Sequence, residues 1–131
     1  MPRRVSPFAF EVRKVEKPWG HELVFALTES YCGKVLFVRA GQALSLQYHD
    51  VKDEAWFVQA GRATLELGTV GDERPLDTIE LLPGDALHYR PGTIHRVTAI
   101  EDTTIVEVST PHLDDVVRLE DRYGREGTSA P

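Results

Sequence analysis

Apolar and polar positions alternate along this chain in short runs, and no window of useful length repeats at the 3.6-residue period of an amphipathic helix. Segments rich in β-branched and aromatic residues recur between Gly, Pro and Asp punctuation. The pattern predicts strands over 8–15, 21–27, 34–39, 43–48, 55–59, 62–67, 77–81, 86–89, 95–99 and 103–108. Turns are expected at Ala40-Gly41, Ala60-Gly61, Pro83-Gly84-Asp85, Pro91-Gly92 and Glu101-Asp102, each of which has a residue that tolerates or presets turn geometry. Residues 68–75 are polar and read as a mobile connection between strands. Many short strands with no helix between them predict an all-β antiparallel sandwich or barrel. The stretch 112–120 mixes acidic residues with Leu113, Val116, Val117 and Leu119, and is expected as a short helix or an extended arm over the barrel. The expected division is an arm or strand over 1–16, one barrel over 17–111, and a C-terminal arm over 112–131 that frays from about residue 124.

Length and composition narrow the function classes. The 131 residues suit one domain with one core, and 41% hydrophobic with 27% charged residues is ordinary for a globular protein. The formal net charge of -6, with Lys and Arg scattered singly, leaves no basic stripe, so nucleic acid is not an expected partner. Arg3-Arg4 reads as a solvated terminus. No stretch approaches the roughly 20 apolar residues of a membrane helix, and residues 1–11 lack a signal-peptide core. The single Cys32 can form neither an internal disulfide nor a cysteine zinc cage and reads as a small core residue, so a cytoplasmic location without membrane contact is expected.

The chemistry sits in two blocks: Gly41-x5-Gln47-x-His49-x4-Glu54-x6-Gly61, then Gly84-x5-Arg90-Pro91-Gly92-x2-His95. Gln47 and His49 are two apart and share one face of a strand. Glu54 opens the next strand after a short connection and can fold back beside them. The Pro91-Gly92 turn brings His95 from a distant strand. Two imidazoles, one carboxylate and one amide oxygen suit one divalent metal ion, with zinc the first expectation and manganese, iron, cobalt or nickel also compatible. Singly, a strand histidine is more often a hydrogen-bonded structural residue; four potential ligands at this spacing favour a metal site.

The two blocks resemble the two motifs of the cupin superfamily, whose fold is a small jelly-roll barrel, a double-stranded β-helix. Gly41, His49, Glu54, Gly61, Gly84, Asp85, Gly92 and His95 sit at the superfamily's spacing; Gln47 stands in place of the usual first histidine, and Arg90 where proline is common. Within that superfamily, Ser45-Leu46-Gln47-Tyr48-His49 is similar to the ligand run of mannose-6-phosphate isomerases. Lys17-Pro18-Trp19-Gly20 and residues 114–125 resemble the two ends of the isomerase cupin domain in bifunctional mannose-phosphate guanylyltransferase/isomerase chains. The likeness covers about residues 17–125. It departs at Asp50-Val51-Lys52-Asp53, where those enzymes carry a second His and an Arg, and the chain is too short to hold a nucleotidyltransferase domain as well. It thus resembles stand-alone cupins related to the isomerase domain.

The resemblance implies a metal-dependent aldose-ketose isomerase acting on a sugar phosphate such as mannose 6-phosphate. Such a reaction needs a base near the migrating proton, positive charge for the developing enediolate, and a cation for the phosphate. Lys34, Lys52 and His88 are the candidate catalytic residues; Arg96, Arg118, Arg122 and Tyr89 are the candidate substrate-binding residues, with Arg125, Trp19, Trp56 and Phe57 as further contacts. The plain alternatives are surface lysines, arginines paired with Asp114, Asp115, Glu120 and Asp121, and core aromatics. Two other functions compete: a non-catalytic carbohydrate or small-metabolite binding module, and an iron-dependent dioxygenase. A homodimer is expected from the habit of small barrels of covering exposed strands with a second copy.

Overall fold

The computed structural model describes residues 6–128; Arg3-Arg4 and the terminal residues 129–131 lie outside the described range. The strands run in order as β1 (Arg13–Lys17), β2 (Gly20–Leu27), β3 (Cys32–Val38), β4 (Leu46–Tyr48), β5 (Glu54–Ala60), β6 (Ala63–Thr69), β7 (Asp77–Leu81), β8 (Ala86–Tyr89), β9 (Thr93–Ala99), β10 (Thr103–Ser109), β11 (Val117–Glu120) and β12 (Gly127–Thr128). Two six-stranded sheets result, β1-β2-β3-β10-β5-β8 and β12-β11-β4-β9-β6-β7, with every pairing antiparallel. Each sheet keeps its own edges, so the molecule is an open jelly-roll sandwich rather than a closed barrel.

Period-two alternation sets the inner faces. In β10, Thr103, Ile105, Glu107 and Ser109 are buried while the residues between them are not, and β9 buries His95, Val97 and Ala99 in the same way. Leu36, Val38, Trp56, Val58 and Ile105 of the first sheet meet Leu65, Leu81, Val97 and Ala99 of the second, with Trp19 and Leu44 filling the gap. Full burial of each large side chain contributes about 1.5–3 kcal/mol. The same alternation sends His49, Glu54, His95 and Glu107 inward, so the sandwich interior is polar at one end.

Two strand expectations shift, and the tail takes the extended form of its two expected ones. The first strand begins at Arg13, not residue 8, because Phe8, Phe10 and Val12 are exposed and no strand faces them. The strand expected over 43–48 shortens to β4, with Ala43 making only an isolated bridge to Thr98. The tail is extended, with no helix among the described residues, because β11 pairs with β4 and β12 pairs with β11. Accordingly, no helix there is long and apolar enough to cross a membrane.

Gly61 shows why one motif glycine is needed. Its φ is 99°, and a Cβ there would stand 2.3 Å from the Asp102 carbonyl oxygen and 2.6 Å from Thr103 Cα. Gly61→Ala combines a strained backbone with a clash against backbone, and is expected to lower unfolding stability by more than about 1 kcal/mol in urea titration.

Candidate metal centre

His49 follows directly on β4, Glu54 opens β5, and His95 lies on β9 opposite Gln47 in the β4–β9 register. The Gly92 N–H donates to the His49 carbonyl oxygen at 2.8 Å, and the positive φ of Gly92 (84°) makes the turn that starts β9. The ligand atoms of His49, Glu54 and His95 all lie within 4.8 Å of one another, and the three residues are 5%, 1% and 1% exposed. Nε2 of His49 is 3.3 Å from Glu54 Oε2, and Nε2 of His95 is 3.5 Å from Glu54 Oε1.

The ring tautomers follow from the outer partners. His95 Nδ1 donates to the Thr93 carbonyl oxygen at 3.0 Å, and His49 Nδ1 donates to that of Asp115. A carbonyl oxygen only accepts, so each ring carries a proton at Nδ1 and, when neutral, turns a lone pair at Nε2 toward the carboxylate. Neither Nε2 makes a hydrogen bond among the described residues. Acceptors facing acceptors in a dry interior are costly unless a cation lies between them. Each Nε2 faces one oxygen of the carboxylate, and the three ligand atoms lie close enough together for one ion to reach all of them. The residues present therefore fit a divalent metal ion, and His49, Glu54 and His95 form a candidate metal triad. Tyr89 stacks on His95 with ring centroids 4.2 Å apart and planes at 8°, and Trp56 meets both rings edge-on, which fixes the imidazole plane.

A charged chain backs the triad. Lys52 Nζ lies 2.9 Å from Glu54 Oε2 and 3.1 Å from Glu107 Oε2, and Trp56 Nε1 donates to Glu107 Oε1 at 3.1 Å. Burial opposes ionisation of Glu54; a proton on either facing Nε2, where no ion lies between, together with the Lys52 ammonium outweighs it and holds the carboxyl well below the usual carboxylate range. Burial likewise opposes the charge on Lys52, but Glu107 and Glu54 win and hold it protonated above the ordinary lysine range. Burial and the nearby carboxylates of Glu54 and Glu107 push the Tyr89 phenol up.

His49 and Glu54 of the triad line a small cavity of about 60 Å³. Five cationic side chains line it, Lys17, Lys34, Lys52, Arg118 and Arg125, against three carboxylates, Glu22, Glu54 and Glu107, in a chain whose formal net charge is -6. Lys34 Nζ is 3.0 Å from Glu22 Oε1. Burial pulls the Lys17 pKa down; Glu22 opposes this, while Lys34, Arg125 and Arg118 add to it. Leu113, Val116, Arg118 and Arg125 from the C-terminal segment cover one side.

Gln47, Lys34, Lys52 and Arg118 all reach this cavity, Gln47 with its Oε1 accepting from Ser45 Oγ at 2.6 Å. The other expected site residues do not. His88 is exposed on the outer face and pairs with Asp53 at 2.8 Å, since Tyr89 takes the inward position of β8. Arg96 lies between the inward His95 and Val97, and so pairs with Glu66 and Glu120 outside. Arg122 is exposed and donates to the Gly41 carbonyl oxygen. Tyr89 is core, behind His95 rather than beside the cavity. Sequence reasoning missed Glu22, Glu107 and Asp115. The alternation in β2 and β10 could have placed the first two inward once the strand register was known, whereas Asp115 sits in a segment with no periodic signal.

Comparison with known proteins agrees with this geometry. The family model described as mannose-6-phosphate isomerase C-terminal matches residues 9–121. The mannose-1-phosphate guanylyltransferase ManC of Salmonella typhimurium is 37% identical over 120 residues, covering 86% of this chain. This chain spans only 23% of the length of that relative. Among solved structures, the capsular polysaccharide assembling protein CapF from Staphylococcus aureus superposes with a TM-score of 0.66 at 20% identity, covering 88% of this chain and 33% of that one. Bacillus subtilis oxalate decarboxylase, described with Mn(II) centres, gives 0.68 at 17% identity, covering 81% and 29%. At these identities the two structures establish the jelly-roll fold alone.

Lys52→Met leaves Glu54 and Glu107 buried without their shared cation. It is expected to cost about 3–5 kcal/mol of unfolding stability in metal-free protein, with part restored when divalent metal is added before denaturation.

Proposed function

This chain belongs to the mannose-6-phosphate isomerase C-terminal family, and from that premise we propose that it is a metal-dependent aldose-ketose isomerase acting on a sugar phosphate. The observation that carries the reading is the buried triad of His49, Glu54 and His95, two members of which line a cavity with more cationic than carboxylate side chains. Gln47 is the fourth ligand: it pairs in register with His95, and its Oε1 retains a second lone pair beside the one Ser45 engages. The donor set of nitrogen and hard oxygen suits zinc first, with iron, cobalt and nickel also compatible, and the Mn(II) centres of oxalate decarboxylase make manganese the metal to test beside it. When bound, the ion supplies Lewis-acid polarisation of the substrate's carbonyl and hydroxyl oxygens.

The chain's own residues supply the rest. Lys34 and Lys52 line the cavity, each paired with a carboxylate, and offset negative charge that builds on the sugar oxygens as the proton migrates. Glu22 and Glu107 are the cavity carboxylates outside the triad, each paired with a lysine; Glu22, free of the Trp56 contact that occupies Glu107, is the base. Lys17, Arg118 and Arg125 form the phosphate-binding corner, with Arg125 held in place by its ion pair with Asp121 and Lys17 beside Glu22.

Metal-loaded protein is expected to interconvert mannose 6-phosphate and fructose 6-phosphate in a coupled assay. Glu22→Gln is expected to lower kcat by about 10²–10⁴ with metal content unchanged. Lys17→Met is expected to raise KM by roughly tenfold or more, the equivalent of one charged hydrogen bond at ~1.5–3 kcal/mol. Absence of turnover on any hexose phosphate, with ligand-induced stabilisation retained, would replace the isomerase with a carbohydrate-binding module. Oxygen uptake by iron-loaded protein would replace it with an oxygenase.

Two further proposals concern setting. The outer face of the first sheet presents Phe25, Leu27, Tyr31, Phe57 and Val108, between 37% and 56% exposed, and a second copy covers it. Light scattering is expected to give twice the chain mass, falling to the single-chain mass for Val108→Asp. The unpaired, buried Cys32 supports a cytoplasmic location.

A further inference from the structure

The segment between β10 and β11 does more than roof the cavity. Thr110 ties the near end of it to Asp53 by two hydrogen bonds, and Asp115 makes the contacts to Asp50, Val51, Lys52 and His49. Its Oδ1 accepts the Asp50 N–H at 3.0 Å, and its Oδ2 accepts the N–H groups of Val51 and Lys52 at 2.6 and 2.7 Å. Its backbone carbonyl oxygen accepts from His49 Nδ1. Three consecutive loop amides and the outer nitrogen of one triad histidine thus converge on a single residue, more than 60 positions along the chain. Asp50 and Val51 have little else to hold them, since both are exposed, Val51 57% so, whereas Lys52 and Asp53 keep partners of their own. If Asp115 is withdrawn, those amides turn to water and the His49 ring loses the contact that sets its tautomer and plane. Groups of this kind behind a metal ligand typically change metal affinity by about 10–100-fold.

The size of the cavity adds a second observation. At about 60 Å³ it is well below the roughly 300–1,000 Å³ of pockets that enclose small organic ligands. A sugar-sized molecule enters only when the covering segment moves, and Asp115 moves with it.

We infer that Asp115 is a positioning residue for the metal centre, and that docking of the covering segment and binding of the divalent ion are one coupled equilibrium. Each stabilises the other by the same free energy, as linkage requires. Lifting the segment loosens the ion at the moment substrate gains access, and re-docking tightens it. The inference rests on the metal reading of the triad and is independent of the isomerase reading.

The test has two arms. In wild-type protein, hydrogen exchange is followed with and without Zn²⁺ or Mn²⁺ as the only addition. Slower exchange of the Asp50, Val51 and Lys52 amides and of the segment around Asp115 is the expected result; unchanged exchange at saturating metal overturns the inference. In the second arm, metal affinity is measured by competition with a chromogenic chelator. Asp115→Ala is expected to weaken binding by about 10–100-fold, Asp115→Asn by less, and Leu119→Ala, exposed on the adjoining β11, not at all. Equal affinity in wild type and Asp115→Ala overturns the inference and leaves the metal site standing. A wild-type protein that takes up no metal overturns both. Coupling without hexose-phosphate turnover supports the inference and removes only the isomerase. If Asp115→Ala does not fold, the exchange experiment on wild type still decides.

Discussion

A carboxylate in the dry interior is the constraint around which this molecule is organised. Glu54 is 1% exposed and cannot stay ionised there without compensation. His49 and His95 face it from one side and Lys52 from the other. Lys52 is itself buried and requires Glu107, which in turn takes the Trp56 indole N–H. Each group answers the desolvation cost of the previous one, so the network cannot lose a member without stranding a charge. A divalent ion completes it by giving the two Nε2 lone pairs something to face.

The two sheets divide the labour. Triad members sit at strand ends and on strands, positions fixed by ladder hydrogen bonds and by rings packed behind them, and such elements hold geometry better than free loops. Tyr89 and Trp56 belong to this rigid half: their value lies in clamping His95, not in touching a ligand. The C-terminal segment is held to the rest by a few side-chain contacts and a short ladder with β4, which makes it the part able to move. It contributes the cations Arg118 and Arg125 and the four contacts of Asp115. Positive charge around the cavity is thus split between the two sheets and the C-terminal segment.

Positive charge concentrated in one cavity of an acidic chain has a plain physical reading. Net charge governs behaviour at long range, and a protein at -6 repels anionic ligands weakly overall. Inside, where water does not screen, the local excess of ammonium and guanidinium groups decides what is held. This favours a small dianion that can reach the cavity over an extended anionic polymer that cannot.

The sequence by itself determined the all-β class, the triad and the inward pairing of Gln47 with His49. Those properties rest on local spacing: period-two alternation, glycines where backbone must turn, and ligands two and five residues apart. The jelly-roll order came through resemblance at the motif level, and family membership agrees with it. Facing was the limit. His88 and Arg96 were expected near the site, but each lies one residue from an inward side chain, Tyr89 and His95, and a one-residue difference on a strand sends a side chain to the opposite surface. Glu22, Glu107 and Asp115 were invisible for the complementary reason: their roles depend on partners 12, 55 and 66 residues away, brought together only by the sheet order and the path of the tail. Local pattern can say which residue types are available for chemistry, whereas tertiary structure alone decides which of them share a dry space, since only there do desolvation and charge compensation act.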